Sequence, residues 1–355
     1  MTPTSSYTSS GTGRRSQEYT PAAALRGFLE HSARRAAELS PGYEHVWARI
    51  GEVAAAGDGL QRDLVMAVVE SYPARPTRPV LNAVAASFEL LSTALLLRGE
   101  GVSPGTTISP LRRVPAPAAA PAEPAPGDSV HRTSLASQLA LAGAYRMVAT
   151  SHAPESRLLK LLDILDHSVF HATAGERLTG ELTRRPASVS HREVLEALRI
   201  GGAVPCWESP LRAGAVLGGA PTAHVNALAD TGRALGVGHG LAEELRLAAD
   251  PHGAGPRELL RADRPTVLGT FVASGPHGPA WRTLCERAAR SALTEDDAAR
   301  ARELLDRSGS VRAVERMVHT ARQRAEHAMV GGKLPTALVE RLTAWADREL
   351  NPAEA

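Results

Sequence analysis

The sequence predicts an all-α protein, and three observations carry that expectation. Apolar residues make up 43% of the 355-residue chain but aromatics only 4%, and the apolar set is mostly Ala, Leu and Val, which suits helices packed on helices better than strands. Apolar positions recur at three- and four-residue spacings nearly throughout. Pro and Gly interrupt that pattern at intervals that fit helices of roughly ten to twenty residues. Nothing reads as a strand, and no repeat of about 20–50 residues is visible. A chain of this length buries about three quarters of its unfolded surface, enough for one large domain.

In chain order, residues 1–20 are rich in Ser, Thr, Gly and Tyr and predict a disordered tail. A single helical domain is expected over 21–350, its first helices at 21–39, 43–56, 60–72 and 79–98. A Pro/Ala-rich stretch from Ser103 to Asp128 cannot hold a helical ladder, because proline supplies no donor. It is read as a flexible insertion at 104–128 within the domain, since Ala83 to Leu97 before it is too apolar to stand alone. Helices follow at 133–150, 155–179, 190–200 and 208–218, with Pro205 to Pro210 as a break between the last two. The remaining helices are expected at 222–249, 256–274, 278–290, 294–307, 310–328 and 334–349. Thr294 with Asp297 forms a capping box in which a short acid stands at the third position, and Gly309 closes the helix begun there.

Charge and cysteine count exclude several classes. Forty basic residues against 38 acidic leave a net charge of +2, which argues against an electrostatically driven nucleic-acid binder. Cys206 and Cys285 cannot build a disulfide framework or a four-thiolate zinc site, so a reduced, cytoplasmic protein is expected. The tail lacks the uninterrupted apolar stretch of a secretory signal. The longest strongly apolar run, Leu90 to Leu97, is too short to span a bilayer.

The order of segments resembles the polyprenyl synthetase, or isoprenyl diphosphate synthase, superfamily from about residue 43 to 350. Phe88 to Leu97 is similar to the helix that carries a Glu-Leu-x-His-x-x-Ser-Leu stretch into the family's first aspartate-rich motif. Gly236 to Pro251 resembles the helix through the second such motif, and Glu258 to Leu268 the Asp-Leu-x-x-Gly-Lys-x-Thr-Leu segment after it. The run from Leu293 to Gly309, and then Val314 to Ala328, resembles the family's ending. The resemblance implies an isoprenoid-synthase-type helical bundle that ionises an allylic diphosphate. In such chemistry Mg²⁺ clamps the leaving group, and because Mg²⁺ demands octahedral oxygen ligands, carboxylates must converge on it.

The departures fall on the residues that chemistry needs. The first acidic motif is matched by Arg98-Gly99-Glu100, leaving one carboxylate. The family's Gly-Lys-Arg-x-Arg-Pro stretch is matched loosely by Gly57 to Asp63, its Gly-Asp pair by Ser137-Gln138, its Lys-Thr by Arg199-Ile200, and its late Lys by Asp263. Charge persists in the second motif as Glu243-Glu244, with Leu247 at the third acid's place. Candidate metal ligands are therefore Glu243, Glu244 and Asp250, although adjacent residues on a helix point about 100° apart. The candidate diphosphate contact is Arg199, for which a solvated pairing with Glu196 is the simpler account. His167 and His171 have the i, i+4 spacing of transition-metal ligands but lack a recognisable third.

The expectation is a catalytically degenerate isoprenyl-diphosphate-synthase-like protein, an accessory or scaffold subunit in isoprenoid biosynthesis. No cofactor is expected, or Mg²⁺ if the chain is active. The alternatives are a non-canonical prenyltransferase or terpene cyclase, and a helical interaction protein unrelated to isoprenoids. The partner implied is a second copy, as a homodimer, or an intact synthase, as a heterodimer. The helices at 133–150 and 155–179 are expected to carry that contact, because the resemblance implies that helices at this place pair two subunits, and here Leu158, Leu159, Leu161, Leu162, Ile164, Leu165 and Val169 give the second an apolar surface wider than one core-facing stripe needs.

Overall fold

The computed structural model describes residues 20–102, 108–109, 112–113, 126–250, 254–260, 265–290 and 293–351. Helix α1 spans Pro21–Leu39, α2 Glu44–Ala55, α3 Leu60–Glu70, α4 Arg78–Val102, α5 Pro126–Ala149 and α6 Glu155–Thr183. The chain continues through α7, His191–Leu198, a π-helical segment, Arg199–Glu208, and α8, Ser209–Gly218. Then come α9, Thr222–Ala249, α10, Ala254–Leu259, α11, Val267–Ser274, and α12, Gly278–Ala289; the last three are α13, Glu295–Ser308, α14, Ser310–Gly331, and α15, Thr336–Glu349. The extended pairing among the described residues is a two-residue antiparallel ladder, β1 (Ile108–Ser109) with β2 (Arg112–Arg113). The tail and the greater part of the Pro/Ala-rich insertion lie outside the described residues; α5 begins at Pro126, ahead of the expected start.

Local chemistry sets many of the ends. Thr20 caps α1, accepting the Ala23 amide at 3.2 Å, and Pro21 follows it at the position where a missing N–H costs nothing. Thr294 and Asp297 form the expected capping box: the Thr294 hydroxyl accepts the Asp297 amide at 3.3 Å, and Asp297 accepts the Thr294 amide at 3.0 Å. Gly309 closes α13 with φ of 72°, a left-handed conformation that suits a residue without a Cβ.

Packing produces two joined cores. One gathers Leu64, Trp207, Leu211, Leu235, Val314 and Leu338 from α3 and the C-terminal half. The other gathers Ile50, Val65, Phe88, Leu91, Leu165 and Leu217 from α1 to α6 and α8. Neighbouring residues of α3, Leu64 and Val65, face different cores, so α3 is the wall between them. Helix 78–99 is long and apolar enough to cross a membrane, yet 83% of its apolar window is buried inside the fold; it is the central helix of the second core.

Three sequence expectations need correction. Pro205 to Pro210 does not break the chain into two separated helices. Pro205 has no N–H, and in an α-helix its ring would collide with the carbonyl four residues back, at Gly201. The wider π turn moves that carbonyl aside, so α7, the π segment and α8 run on continuously. The span 256–274 is two helices, α10 and α11. Finally, Leu161 and Leu165 are fully buried and Ile164 is 3% exposed, so that part of the α6 stripe belongs to this chain's own core, whereas Leu159 is 58% exposed.

Candidate functional site

The residues singled out by the resemblance fall at the end of α4, where α7 meets the π segment, and toward the end of α9. Close approach of α9 to the π segment is made by glycine. A Cβ on Gly232 would sit 2.6 Å from the Glu208 Cα, and one on Gly236 2.6 Å from the Ala203 Cα. Gly240, four residues on, faces the Leu198 side chain of α7, so one line of glycines lays α9 against the π segment and the end of α7.

Near the end of α4, the segment matched to the first acidic motif begins with a guanidinium. Arg98 Nε lies 2.7 Å from Glu176 of α6, and its Nη1 donates to Thr173 Oγ1 at 3.2 Å. This ion pair ties α4 to α6. The side chain of Glu100 lies outside the described residues.

On α9 the three candidate acids face three different partners. Both oxygens of Glu244 accept backbone amides from the start of α11, Val267 N at 3.0 Å and Leu268 N at 2.9 Å. The Thr266 hydroxyl takes the next donor, from Gly269, at 3.0 Å. An anion at a helix N-terminus satisfies donors that have no intrahelical acceptor and meets the positive end of the helix dipole. Glu243 pairs with Arg246, one turn on, while Arg246 Nη2 donates to the Glu349 carbonyl at 2.6 Å. Asp250 caps the next segment, its Oδ2 accepting the Gly255 amide at 2.7 Å, and its carbonyl accepts from Arg302 at 2.7 Å. Among the described residues no three His, Cys, Asp or Glu side chains are grouped to hold a metal ion. The donor set does not fit a magnesium clamp. Arg199 is likewise engaged, its Nε and Nη2 donating to Glu196 at 2.8 and 2.6 Å.

Glu244→Gln tests the capping role. A glutamine can offer its one carbonyl oxygen to one amide and brings an NH₂ to the other, so about 1 kcal/mol of stability should be lost. Hydrogen exchange at Val267 and Leu268 should quicken. Unchanged exchange there would contradict the cap.

The sequence did not disclose Glu208. Glu208, at the end of the π segment, is 2% exposed and receives Arg233 Nη1 at 2.7 Å and Arg212 Nη1 at 3.2 Å, with His167 Nε2 at 3.6 Å. Arg233 also pairs with Asp230. His171 Nδ1 donates to the His167 carbonyl at 2.8 Å. Burial, the His171 ring and the two guanidiniums together hold the His167 pKa below its ordinary value, against the opposing pull of Glu208. Two arginines already pair with Glu208, and among the described residues the His pair joins no group of three metal-ligating side chains. Trp207 is fully buried and tilts against His239, ring centroids 5.5 Å apart. His239 is itself buried, with its pKa lowered by desolvation, and its Nδ1 stands 3.5 Å from Glu349. Cys206 is fully buried, which pushes its thiol pKa well up, and burial raises Cys285 to about 11. Neither is an activated nucleophile.

No family model matches the sequence, and no curated protein sequence matches it. Solved structures do match. A geranylgeranyl pyrophosphate synthase from Corynebacterium glutamicum, complexed with isoprenyl diphosphate and magnesium, superposes with a TM-score of 0.78 at 18% identity, covering 94% of this chain and 97% of that one. A decaprenyl diphosphate synthase from Rhodobacter capsulatus gives 0.69 at 19% identity, covering 92% and 96%. A polyprenyl synthase from Caulobacter crescentus CB15, complexed with calcium and isoprenyl diphosphate, gives 0.68 at 22% identity, covering 94% and 98%. The chain therefore has the all-α fold of isoprenyl diphosphate synthases over nearly its whole length.

Proposed function

We propose that this protein is a catalytically silent isoprenyl-diphosphate-synthase-like subunit, an accessory or scaffold component of cytoplasmic isoprenoid biosynthesis. The observation that carries the reading is Glu244. The acid that should face a metal has both oxygens on the amides of α11, and the segment matched to the first acidic motif begins with Arg98, which is paired with Glu176. A guanidinium at that position repels Mg²⁺ and cannot ligate it. The near-complete coverage of synthase structures supports retention of the framework. The partner is then a chain of the same fold, either another copy or an intact synthase.

A Mg²⁺-supplemented assay with radiolabelled isopentenyl diphosphate and an allylic diphosphate tests this. No product above the protein-free blank is expected. Steady product formation that disappears in the Glu243→Gln, Glu244→Gln double variant would overturn the proposal. The protein would then be a non-canonical prenyltransferase or terpene cyclase, in which Glu243, Glu244 and Asp250 release their present partners to bind Mg²⁺ and Arg199 leaves Glu196 for the diphosphate.

A further inference from the structure

Helix α14 segregates its charges. Its buried residues, Val314, Val318, Ala321, Ala325 and Met329, share one side of the helix and pack inward against α9. On the opposite side Arg312, Arg316, His319, Arg324, His327 and Val330 fall within an arc of about 140° at 100° per residue, and all six are exposed. No Asp or Glu of α14 falls in that arc. Its two acids, Glu315 and Glu326, lie beyond one edge, on the flank of Arg322, which pairs with Glu326 and with Asp347 of α15. Exposed arginines on other helices are answered by an acid of their own helix, as Arg300 and Arg307 are by Glu303 and Arg177 is by Glu181. Arg312, Arg316 and Arg324 enter no ion pair among the described residues. In a chain of 40 basic and 38 acidic residues, an acid-free outward face is a local arrangement and not an overflow of net charge.

The chemistry of the face selects its partner. A protein interface draws its affinity from a buried aromatic or aliphatic anchor near its centre. The centre of this row offers Arg316, His319 and Gln323 instead, and its large apolar side chain, Val330, 71% exposed, stands at the far end. Lys333, exposed just past the helix, adds a further cation there. From Arg312 to Val330 the row runs about 27 Å at 1.5 Å per residue, along the convex outside of the bundle. A plane of anionic headgroups complements that shape and charge: guanidiniums fork onto phosphate oxygens along the row, and Val330 meets the boundary of the acyl region. We propose that the outward face of α14 is a docking surface for an anionic membrane, on which the protein adsorbs reversibly with this helix lying in the headgroup plane. Adsorption of this kind is electrostatic, each arginine at the surface strengthening it about fivefold, and it needs no membrane-spanning helix.

None of the candidate metal or diphosphate residues lies on α14, so adsorption and turnover are read in separate experiments. The full chain is titrated with vesicles of phosphatidylglycerol and phosphatidylcholine in equal parts, and the bound fraction is measured by sedimentation. Vesicles of phosphatidylcholine alone are the comparison, and circular dichroism establishes that each variant remains folded. Binding is expected on the anionic vesicles and not on the zwitterionic ones. It should fall steeply as added salt shortens the screening length from about 10 Å at 0.1 M to about 3 Å at 1 M. Arg316→Gln should weaken it about fivefold, and Arg312→Gln, Arg316→Gln and Arg324→Gln together about a hundredfold. A second triple variant, Arg26→Gln, Arg34→Gln and Arg35→Gln at exposed positions of α1, makes the same change in net charge and should bind nearly as the wild type does. A wild type that ignores anionic vesicles at low salt would overturn the proposal, as would equal losses in the two triple variants, which would assign the effect to net charge. So would retention on polyglutamate or duplex DNA that persists at salt concentrations releasing the vesicles, which would give the face to an acidic protein or to nucleic acid.

Discussion

Trp207→Ala is expected to lower the unfolding free energy by about 3–5 kcal/mol, the cost of removing a large aromatic from a core that cannot close over the gap. The indole is fully buried, and its surroundings include the parts of the fold least able to move. A Cβ placed on Gly236 would lie only 2.9 Å from the indole Cδ1, so the backbone of α9 already forms one wall. The Pro205 π turn fixes the other, and close packing between them leaves little for relaxation to recover. The indole Nε1 has no hydrogen-bond partner, so Trp207→Phe removes no hydrogen bond and should cost less than half as much. Urea titration of the three proteins checks both statements. Equal losses for Ala and Phe would mean that volume does not govern the site.

Glu208→Ala should cost about 3 kcal/mol for a different reason. Removing one member of a buried ion pair leaves its partners less compensated, Arg233 keeping Asp230. Here the partners are Arg233 and Arg212, whose side chains remain 32% and 27% exposed. Water reaches them, which places the loss at the lower end of the usual range. Glu208→Leu combined with Arg233→Met should recover part of it, because an apolar pair of similar volume needs no charge balance. A double variant no better than Glu208→Ala would mean that Arg212 alone, or the shape of the π turn, sets the cost.

Most of the helical framework was legible because periodicity and punctuation are local. Thr20 before Pro21, Thr294 with Asp297, and Gly309 act within one turn of themselves, and the structure has them in those roles. What could not be read depended on partners distant in sequence or on a departure from 3.6 residues per turn. The Glu244 acceptors are 23 and 24 residues downstream, and only the docking of α11 brings them near. Glu208 sat inside a stretch whose two prolines resembled a break, although a π turn absorbs Pro205 and Pro210 lies in the first turn of α8. One signal was available there: Gly232, Gly236 and Gly240 at four-residue intervals mark a helix face that another backbone approaches closely. The α6 leucines divide, Leu161 and Leu165 into this chain's own core and Leu159 outward, and the width of an apolar stripe does not say which residues do which.

On the proposed reading, the cap made by Glu244 also governs how readily this chain could be converted into a metal-dependent enzyme. Introducing aspartate at 244 shortens the side chain by one methylene and withdraws the carboxylate from Val267 and Leu268. An acid at 98 would dissolve the tie from α4 to Glu176. Each step toward a magnesium clamp thus removes a brace from the framework before any ligand is gained, so single substitutions pass through less stable chains. A route that stays folded must first give α11 another N-terminal acceptor and α4 another hold on α6. The order of substitutions, rather than their identity alone, would decide whether such an experiment succeeds.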